Sequence, residues 1–494
     1  MTGNAAAAER IRRWGIAIKA AEAERAGEDA ARVLADFGPL PLPIGDSDDP
    51  GLFARLLADA RRGYRASGQA PTHRPVETGL GDLLAQAESV QAAHNAFIEI
   101  FGSDAGPGAA LPHGSEAAPL RGMPFAYKDV FVTPRRRPTA GVGHGHRWTG
   151  GEASGTIAAL ENAGAIAVGA TNMDPWCYLP VGINPFFGRV SHPLGGDLVT
   201  GGSSSGSAVA VATGAVAFAL GTDTGGSVRV PAALCGIWGL KTTHGLLEDR
   251  GLVPLSFSQD TIGLLGRDPL LIARVLRVLA PGLPGGGWPR QEARPPRIGI
   301  DPALLSGCDP ATLRAFEGVR DSLRGMGAEL RDVSLPYYKA LNPAAGIVTA
   351  VEAASIHVAG LASHPEWYPS MIRQRLLPGL LYDGIDYVRA LRLRGICLRK
   401  AIELFSEVDS ILCPVVPRAA PRLTDKEAAD EAAVGALSAE FLRLNRPVNY
   451  LGLPALAFPA GRTDGGHPVG LQLIGPPFSD AALLELARPL AGPA

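Results

Sequence analysis

Residues 201–245 read GGSSSGSAVAVATGAVAFALGTDTGGSVRVPAALCGIWGLKTTHG, and most of the architecture can be worked out from this stretch. Two glycine-serine clusters flank an apolar segment, Ala208 to Leu220, whose composition suits a buried helix running into a strand. Such a unit brings the two serine loops to one place. Consecutive glycines let the backbone take positive φ and turn its N–H groups into a concavity, and a serine closing the turn sets its hydroxyl where those donors converge. The second loop, Thr224-Gly225-Gly226-Ser227, has that form and leads into a helix start at Val228 to Pro231. Ser227 is then placed to attack a carbonyl carbon while neighbouring N–H groups hold the oxyanion. A lone Gly-Ser loop is ordinarily a flexible turn, but two so close together argue against that reading.

A serine nucleophile needs a base. His192, His244 and His467 are of the right type, yet none falls in a recognisable triad order, and each reads first as structural or surface. Lysine is scarce here, limited to Lys19, Lys128, Lys241, Lys339, Lys400 and Lys426. Lys128 stands in PFAYKDVFV, an apolar strand pattern where a charge is out of place. Burial disfavours an ammonium, so a lysine in such a strand can act as a neutral base. The structural alternatives are a pair with Asp129 or a side chain snorkelling from a sheet edge.

GGSSSGSA followed by LGTDTGGSVRVPAALCGIWGLKTTHG closely resembles the amidase signature family, serine hydrolases with a Ser-cisSer-Lys triad. PLRGMPFAYKDVFV is similar to that family's lysine strand and GATNMDPWCYLPVGINPFFG to its substrate-pocket segment, while NYLGLPALAFPAG and PVGLQLIGP resemble its C-terminal stretches. The likeness spans residues 80 to 490. It implies Ser227 as nucleophile, Ser203 with a cis peptide bond as proton relay, and Lys128 as base. It further implies oxyanion donors at Thr224, Gly225, Gly226 and Ser227, with Ser204, Asp223 and Arg229 supporting the loops. The implied fold is α/β, a large mixed β-sheet core covered by helices, with an N-terminal helical extension. The implied reaction is cleavage of the C–N bond of a carboxylic amide through an acyl-enzyme.

The pocket segment supplies Met173, Trp176, Cys177, Tyr178, Phe186 and Phe187, an apolar set that leads us to expect aryl or acyl amides as substrates. Cys177 and Tyr178 read first as packing residues. Three departures from the family pattern weaken any transfer of specificity: Ser205 in place of the commoner glycine, Tyr127 before the lysine, and SHPLGGDLV ahead of the serine loop.

Outward from this core, Ala5 to Ala35 and Leu52 to Tyr64 carry apolar residues at helical spacing, and SGQAPTHRPV from Ser67 to Val76 reads as a linker. These features predict a helical region over 1–75 and a catalytic domain over 76–494. The extension resembles N-terminal pieces that contribute to a homodimer in stand-alone family members. A further helix is expected over Leu80 to Phe101 and another over Ala311 to Gly327. Strands are expected at FAYKDVFV, AIAVGA, AVAFALGTD, CGIWGLKT and RIGI, with a helix over Gly155 to Asn162. PGLPGGGWPRQEARPP, around 281–296, is a connection by composition.

The 494 residues are 46% hydrophobic and 19% charged, with a formal net charge of −2, values of a folded globular chain with no global field to draw nucleic acid or an anionic membrane. No stretch is read as a membrane helix; the most apolar run, Ala208 to Leu220, stops at Gly221. Cys177, Cys235, Cys308, Cys397 and Cys413 are scattered, which fits a reducing cytoplasm and neither a disulfide framework nor a zinc site. His144 and His146 lack a third ligand nearby, so no metal and no organic cofactor is expected.

Two other hydrolytic readings compete. GSSSG at 202–206 satisfies G-x-S-x-G with Ser204 as nucleophile, but no strand precedes it. The same fold also serves as the glutaminase subunit of a tRNA-dependent amidotransferase, and the same chemistry reaches carbamates and esters. The expected partners are a small-molecule amide and water.

Overall fold

The computed structural model describes residues 51–62, 79–102, 118–195, 197–283 and 294–490. The proposed boundary near residue 75, the linker Ser67 to Val76 and the helix over Ala5 to Ala35 lie outside the described residues.

Eleven strands form one mixed sheet. In chain order they are β1 (Phe97–Ile100), β2 (Pro124–Lys128), β3 (Ile166–Thr171), β4 (Phe218–Asp223), β5 (Trp238–Lys241) and β6 (Thr261–Gly266), then β7 (Arg297–Ile300), β8 (Glu329–Asp332), β9 (Ser410–Pro414), β10 (Ala455–Arg462) and β11 (Pro468–Ile474). Their spatial order is β1-β3-β2-β4-β6-β5-β10-β11-β9-β7-β8. Every residue of β2, β3, β4, β5, β6, β9 and β11 is buried, so these strands are covered on both faces. That burial explains why the sequence shows continuous apolar runs there and no alternation.

Strands β3, β2 and β4 run parallel, with Tyr127 opposite Ala170 on one side and Leu220 on the other. Their carboxyl ends therefore fall together and bring Thr171, Lys128 and Asp223 to one edge of the sheet, where open α/β sheets place their ligands. Two short buried helices complete this edge, Ser205–Ala212 ahead of β4 and Arg229–Cys235 after it. Their packing demands small residues. A Cβ on Gly206 would lie 2.2 Å from the Ala96 carbonyl oxygen and 2.5 Å from that of Asn172, so only glycine fits.

Several expectations shift in the structure. The helix expected over Leu80 to Phe101 ends at His94, where Asn95 takes φ +54° and its N–H caps the Gln91 carbonyl, and the chain continues as edge strand β1. Among the described residues, the helix Tyr338–Ser363, 26 residues long, is apolar enough by length and composition to cross a membrane, a feature the sequence reading did not single out. It lies largely inside the protein, with Leu341, Ala344, Ile347, Val348 and Ala353 in the core. Its buried Glu352 accepts from Ser256 Oγ at 2.6 Å, the Ser258 N–H at 3.1 Å and Tyr387 Oη at 2.9 Å.

Part of the N-terminal region is described. The helix Leu52–Arg62 packs on the helix Gly384–Leu404, with the Arg394 guanidinium 3.5 Å above the Phe53 ring and Leu57 buried in the shared core. This helix is thus continuous with the core beside the sheet.

Candidate active site

Lys128 ends β2 with its side chain fully buried, and its Nζ lies 2.7 Å from Ser203 Oγ and 2.9 Å from Thr222 Oγ1. Asp129 is not its partner; the Asp129 carboxylate instead takes Arg136 Nη1 at 2.5 Å and the Thr139 N–H at 3.1 Å. Nor does Lys128 snorkel, since β2 is an interior strand. Thr222, on the neighbouring strand β4, is the contact that the sequence reading missed.

Ser203 follows a cis peptide bond from Gly202. Its carbonyl accepts from the Asp174 N–H at 3.3 Å, and the next N–H, that of Ser204, donates to the Ser227 carbonyl at 3.2 Å. The two serine loops are therefore tied to each other by backbone. A Cβ on Gly202 would lie 1.8 Å from Asp174 Oδ2, so the approach of that carboxyl group requires glycine. Asp174 in turn accepts from the Gly182 and Ile183 N–H groups at 3.0 and 2.7 Å, and burial pushes its carboxyl up to about 7.

The loop that carries Ser227 is organised around Asp223. Its carboxylate accepts from the Gly226 N–H at 2.7 Å, the Val228 N–H at 3.1 Å and Asn449 Nδ2 at 2.9 Å. Arg229 completes the set with Nε 3.1 Å from Oδ2 and Nη2 3.0 Å from Oδ1. Burial alone would raise this carboxyl, but the Arg229 charge and these donors hold it well below the usual carboxylate range. Arg229 reaches further, to Gln472 Oε1 at 3.0 Å and Asn449 Oδ1 at 2.6 Å. The stretches NYLG and LQLIG thereby acquire a physical role, bracing the loop across the sheet.

One expected oxyanion donor is engaged elsewhere: the Gly226 N–H points to Asp223. Thr224 is anchored through its side chain, with Oγ1 donating to Asp260 Oδ1 at 2.5 Å, and burial lifts the Asp260 carboxyl to about 6. Ser204 is buried at the start of the helix Ser205–Ala212, with Oγ donating to the Thr222 carbonyl at 3.4 Å. It braces the site and has no route to an incoming carbonyl.

A cavity opens beside Ser227, bounded by Cys177, Tyr178, Thr224, Gly225 and Leu255 with Arg375 and Arg446. Of the expected pocket residues, Cys177 and Tyr178 line it, while Met173, Trp176, Phe186 and Phe187 do not. Trp176 stacks on Tyr368 and meets His146 and His357 in a buried aromatic cluster. Phe186 meets His144 edge-on. Trp176 and Cys177 take φ of +54° and +62°, a left-handed turn that sends the indole inward and the thiol toward Thr222, 3.8 Å away. The apolar character read from this segment therefore belongs to the core under the pocket.

None of the candidate histidines lines this cavity. His192 Nε2 donates to the Leu234 carbonyl at 2.9 Å, and His244 Nδ1 lies 3.2 Å from the Asp260 carbonyl. Among the described residues, no three of His, Cys, Asp and Glu converge as metal ligands.

Comparison with known proteins places this geometry in a wider group. The Amidase family model matches residues 80–484. A glutamyl-tRNA(Gln) amidotransferase subunit from Symbiobacterium thermophilum is 32% identical over 76% of this chain and 83% of its own length. The AtzE subunit of the 1-carboxybiuret hydrolase of a Pseudomonas species is 31% identical over 76% of this chain and 85% of its own. A crystal structure of an amidase superposes with a TM-score of 0.74 at 31% identity, covering 88% of this chain and 97% of that one. With its family model matched across the whole sheet and its relatives aligned over most of their length, this chain belongs to the amidase family.

Proposed function

We propose that the protein is a serine hydrolase that cleaves the C–N bond of a carboxylic amide through an acyl-enzyme on Ser227. The observation that carries this reading is the contact between Lys128 Nζ and Ser203 Oγ, sealed from solvent and tied by backbone to the nucleophile loop. Lys128 Nζ takes the proton of Ser203 as Ser203 takes that of Ser227, and Ser227 Oγ bonds to the carbonyl carbon. The oxyanion that forms is received by N–H groups of the Thr224–Ser227 turn other than that of Gly226. As the C–N bond breaks, Ser203 returns a proton to the nitrogen, so the leaving group departs as a neutral amine or ammonia. Water then enters by the same relay and releases the acid. These steps use only side chains, backbone and water.

A second reading keeps the same chemistry in a complex, as the glutaminase subunit of a tRNA-dependent amidotransferase. It is favoured by the amidotransferase relative at 32% identity. Hydrolysis of primary aliphatic amides, aryl amides, anilides, carbamates, esters and glutamine by the isolated chain, beside its Ser227→Ala variant, separates the two. Turnover of simple amides that disappears in the variant supports the stand-alone hydrolase. Turnover of glutamine alone, or only after a partner is added, replaces it with the second reading.

A further inference from the structure

Two carboxylates hold the turn Thr224–Ser227. Asp223 Oδ1 takes the Gly226 N–H at 2.7 Å, and Asp260 Oδ1 takes the Thr224 hydroxyl at 2.5 Å. The peptide that joins Thr224 to Gly225 lies in the chain between these two anchors. Strands β4 and β6 pair antiparallel up to Asp223 opposite Thr261, so Thr224 leaves β4 where Asp260 enters β6. The register of the sheet thus brings Thr224 and Asp260 together, and Thr261 Oγ1 adds a bond to the Asp223 carbonyl at 3.1 Å.

The anchor at Asp260 is itself fixed. Its Oδ2 accepts from the Leu255 N–H at 2.8 Å and the Ser256 N–H at 3.0 Å, and its own N–H donates to the Ser256 carbonyl at 2.8 Å. Ser256 Oγ in turn donates to Glu352 on the buried helix Tyr338–Ser363. Burial lifts the Asp260 carboxyl to about 6, which leaves it ionised at neutral pH with both oxygens accepting. A glycine accepts either orientation of its peptide, so Gly225 and Gly226 leave the turn free to rotate unless it is held at both ends. Among the described residues no acceptor meets the N–H of Gly225 or of Ser227, while that of Gly226 is spent on Asp223.

We propose that Asp260 is a positioning residue for the oxyanion: through Thr224 Oγ1 it fixes the Thr224–Gly225 peptide with its N–H toward the carbonyl that Ser227 attacks. This deepens the hydrolase reading and rests on it. Without the bond to Asp260, Thr224 keeps only its attachment to β4, and the peptide after it can turn its carbonyl oxygen inward, where it repels the developing negative charge. The bond therefore acts on the transition state, and binding of the uncharged carbonyl before attack is little affected. The hydroxyl of Thr224 carries the effect and its bulk does not, which separates this role from packing.

The test measures kcat and KM of the full chain and of its Thr224→Val, Thr224→Ser and Asp260→Ala variants on butyramide and p-nitrophenyl butyrate. Beside them it measures inhibition by n-butylboronic acid, which becomes a tetrahedral boronate on Ser227 Oγ and mimics the oxyanion. Removing a preorganised oxyanion donor costs on the order of 10²- to 10³-fold in kcat, so misaiming one predicts a fall of about 10- to 100-fold in Thr224→Val with KM little changed. The inhibition constant of the boronic acid rises by a similar factor. Thr224→Ser keeps the hydroxyl and returns kcat to within about threefold. In an Asp260→Ala background Thr224→Val lowers kcat no further, because the bond the two residues share is already gone. Equal kcat in Thr224→Val and the unmodified chain overturns the proposal. So does a loss that Thr224→Ser fails to restore, or one confined to a lower unfolding midpoint with kcat of the folded fraction unchanged. If neither substrate is hydrolysed in a Ser227-dependent way, the hydrolase reading fails; boronic acid binding that weakens in Thr224→Val then keeps the role of Asp260, and binding indifferent to that variant removes it as well.

Discussion

Arg229 grips the Asp223 carboxylate with two hydrogen bonds, Nε to Oδ2 at 3.1 Å and Nη2 to Oδ1 at 3.0 Å, and neither side chain reaches solvent. Because the same carboxylate also fixes the Gly226 and Val228 N–H groups, the ion pair sets the shape of the loop that carries Ser227.

Breaking this pair from one side leaves a buried charge without its partner. Arg229→Met is expected to lower stability by about 3–5 kcal/mol and to reduce kcat even where the protein remains folded. Urea unfolding together with kcat of the folded fraction checks this. A loss below about 1 kcal/mol would show that the pair does not brace the loop.

Gly226 has φ +126°, and a Cβ there would meet Asn445 Cβ at 2.8 Å. Gly226→Ala must therefore move the turn that carries the proposed oxyanion donors. The expected outcome is a kcat lower by on the order of 100-fold with KM little changed, the pattern of a contact made chiefly in the transition state. Equal kcat for the two proteins would place the oxyanion elsewhere.

Lys128→Met removes the proposed base and keeps an apolar chain of similar length in the strand. Hydrolysis is expected to fall on the order of 10³-fold or more, with the circular dichroism unchanged. Retained activity would transfer the role of base to another group.

Much of this site was legible because it is built from local sequence. The loops around Ser203 and Ser227 announce themselves through glycine and serine, and Lys128 stands out as a charge in an apolar strand. Arg375 and Arg446 carry no such signal. They sit on helices far along the chain from Ser227, and only the fold brings their side chains to its cavity. The pocket segment misled for a related reason: composition shows that Trp176 is aromatic, but not that a left-handed turn directs it onto Tyr368 and away from the chamber. The same limit applies to Leu80 to Phe101, where the helical pattern outran the helix because Asn95 stops it and the residues beyond pair with β3.

The aromatic cluster under the pocket makes a pH prediction. Burial, and then the neighbouring His146, push His357 down to about 3, well below the ordinary histidine value of 6.5. Its Nδ1 lies 3.3 Å from Tyr368 Oη and its Nε2 is buried without a partner. The folded protein keeps this imidazole neutral while the unfolded chain binds a proton below 6.5, so stability is lost as pH falls from about 6.5 toward 3. Relative to His357→Phe, the unmodified protein is expected to lose about 1.4 kcal/mol per pH unit through that window. Unfolding curves of both proteins between about pH 4 and 7 supply the comparison, and parallel pH dependences would mean that His357 titrates normally.

The central claim is that Ser227 carries the acyl group, and the most direct measurement is the mass of the protein quenched during turnover of p-nitrophenyl butyrate, followed by peptide mapping. The account predicts a single butyryl adduct on Ser227, absent from Ser227→Ala. An adduct on Ser203, Ser204 or Cys177 that persists in Ser227→Ala, or steady hydrolysis by that variant at the unmodified rate, would contradict it.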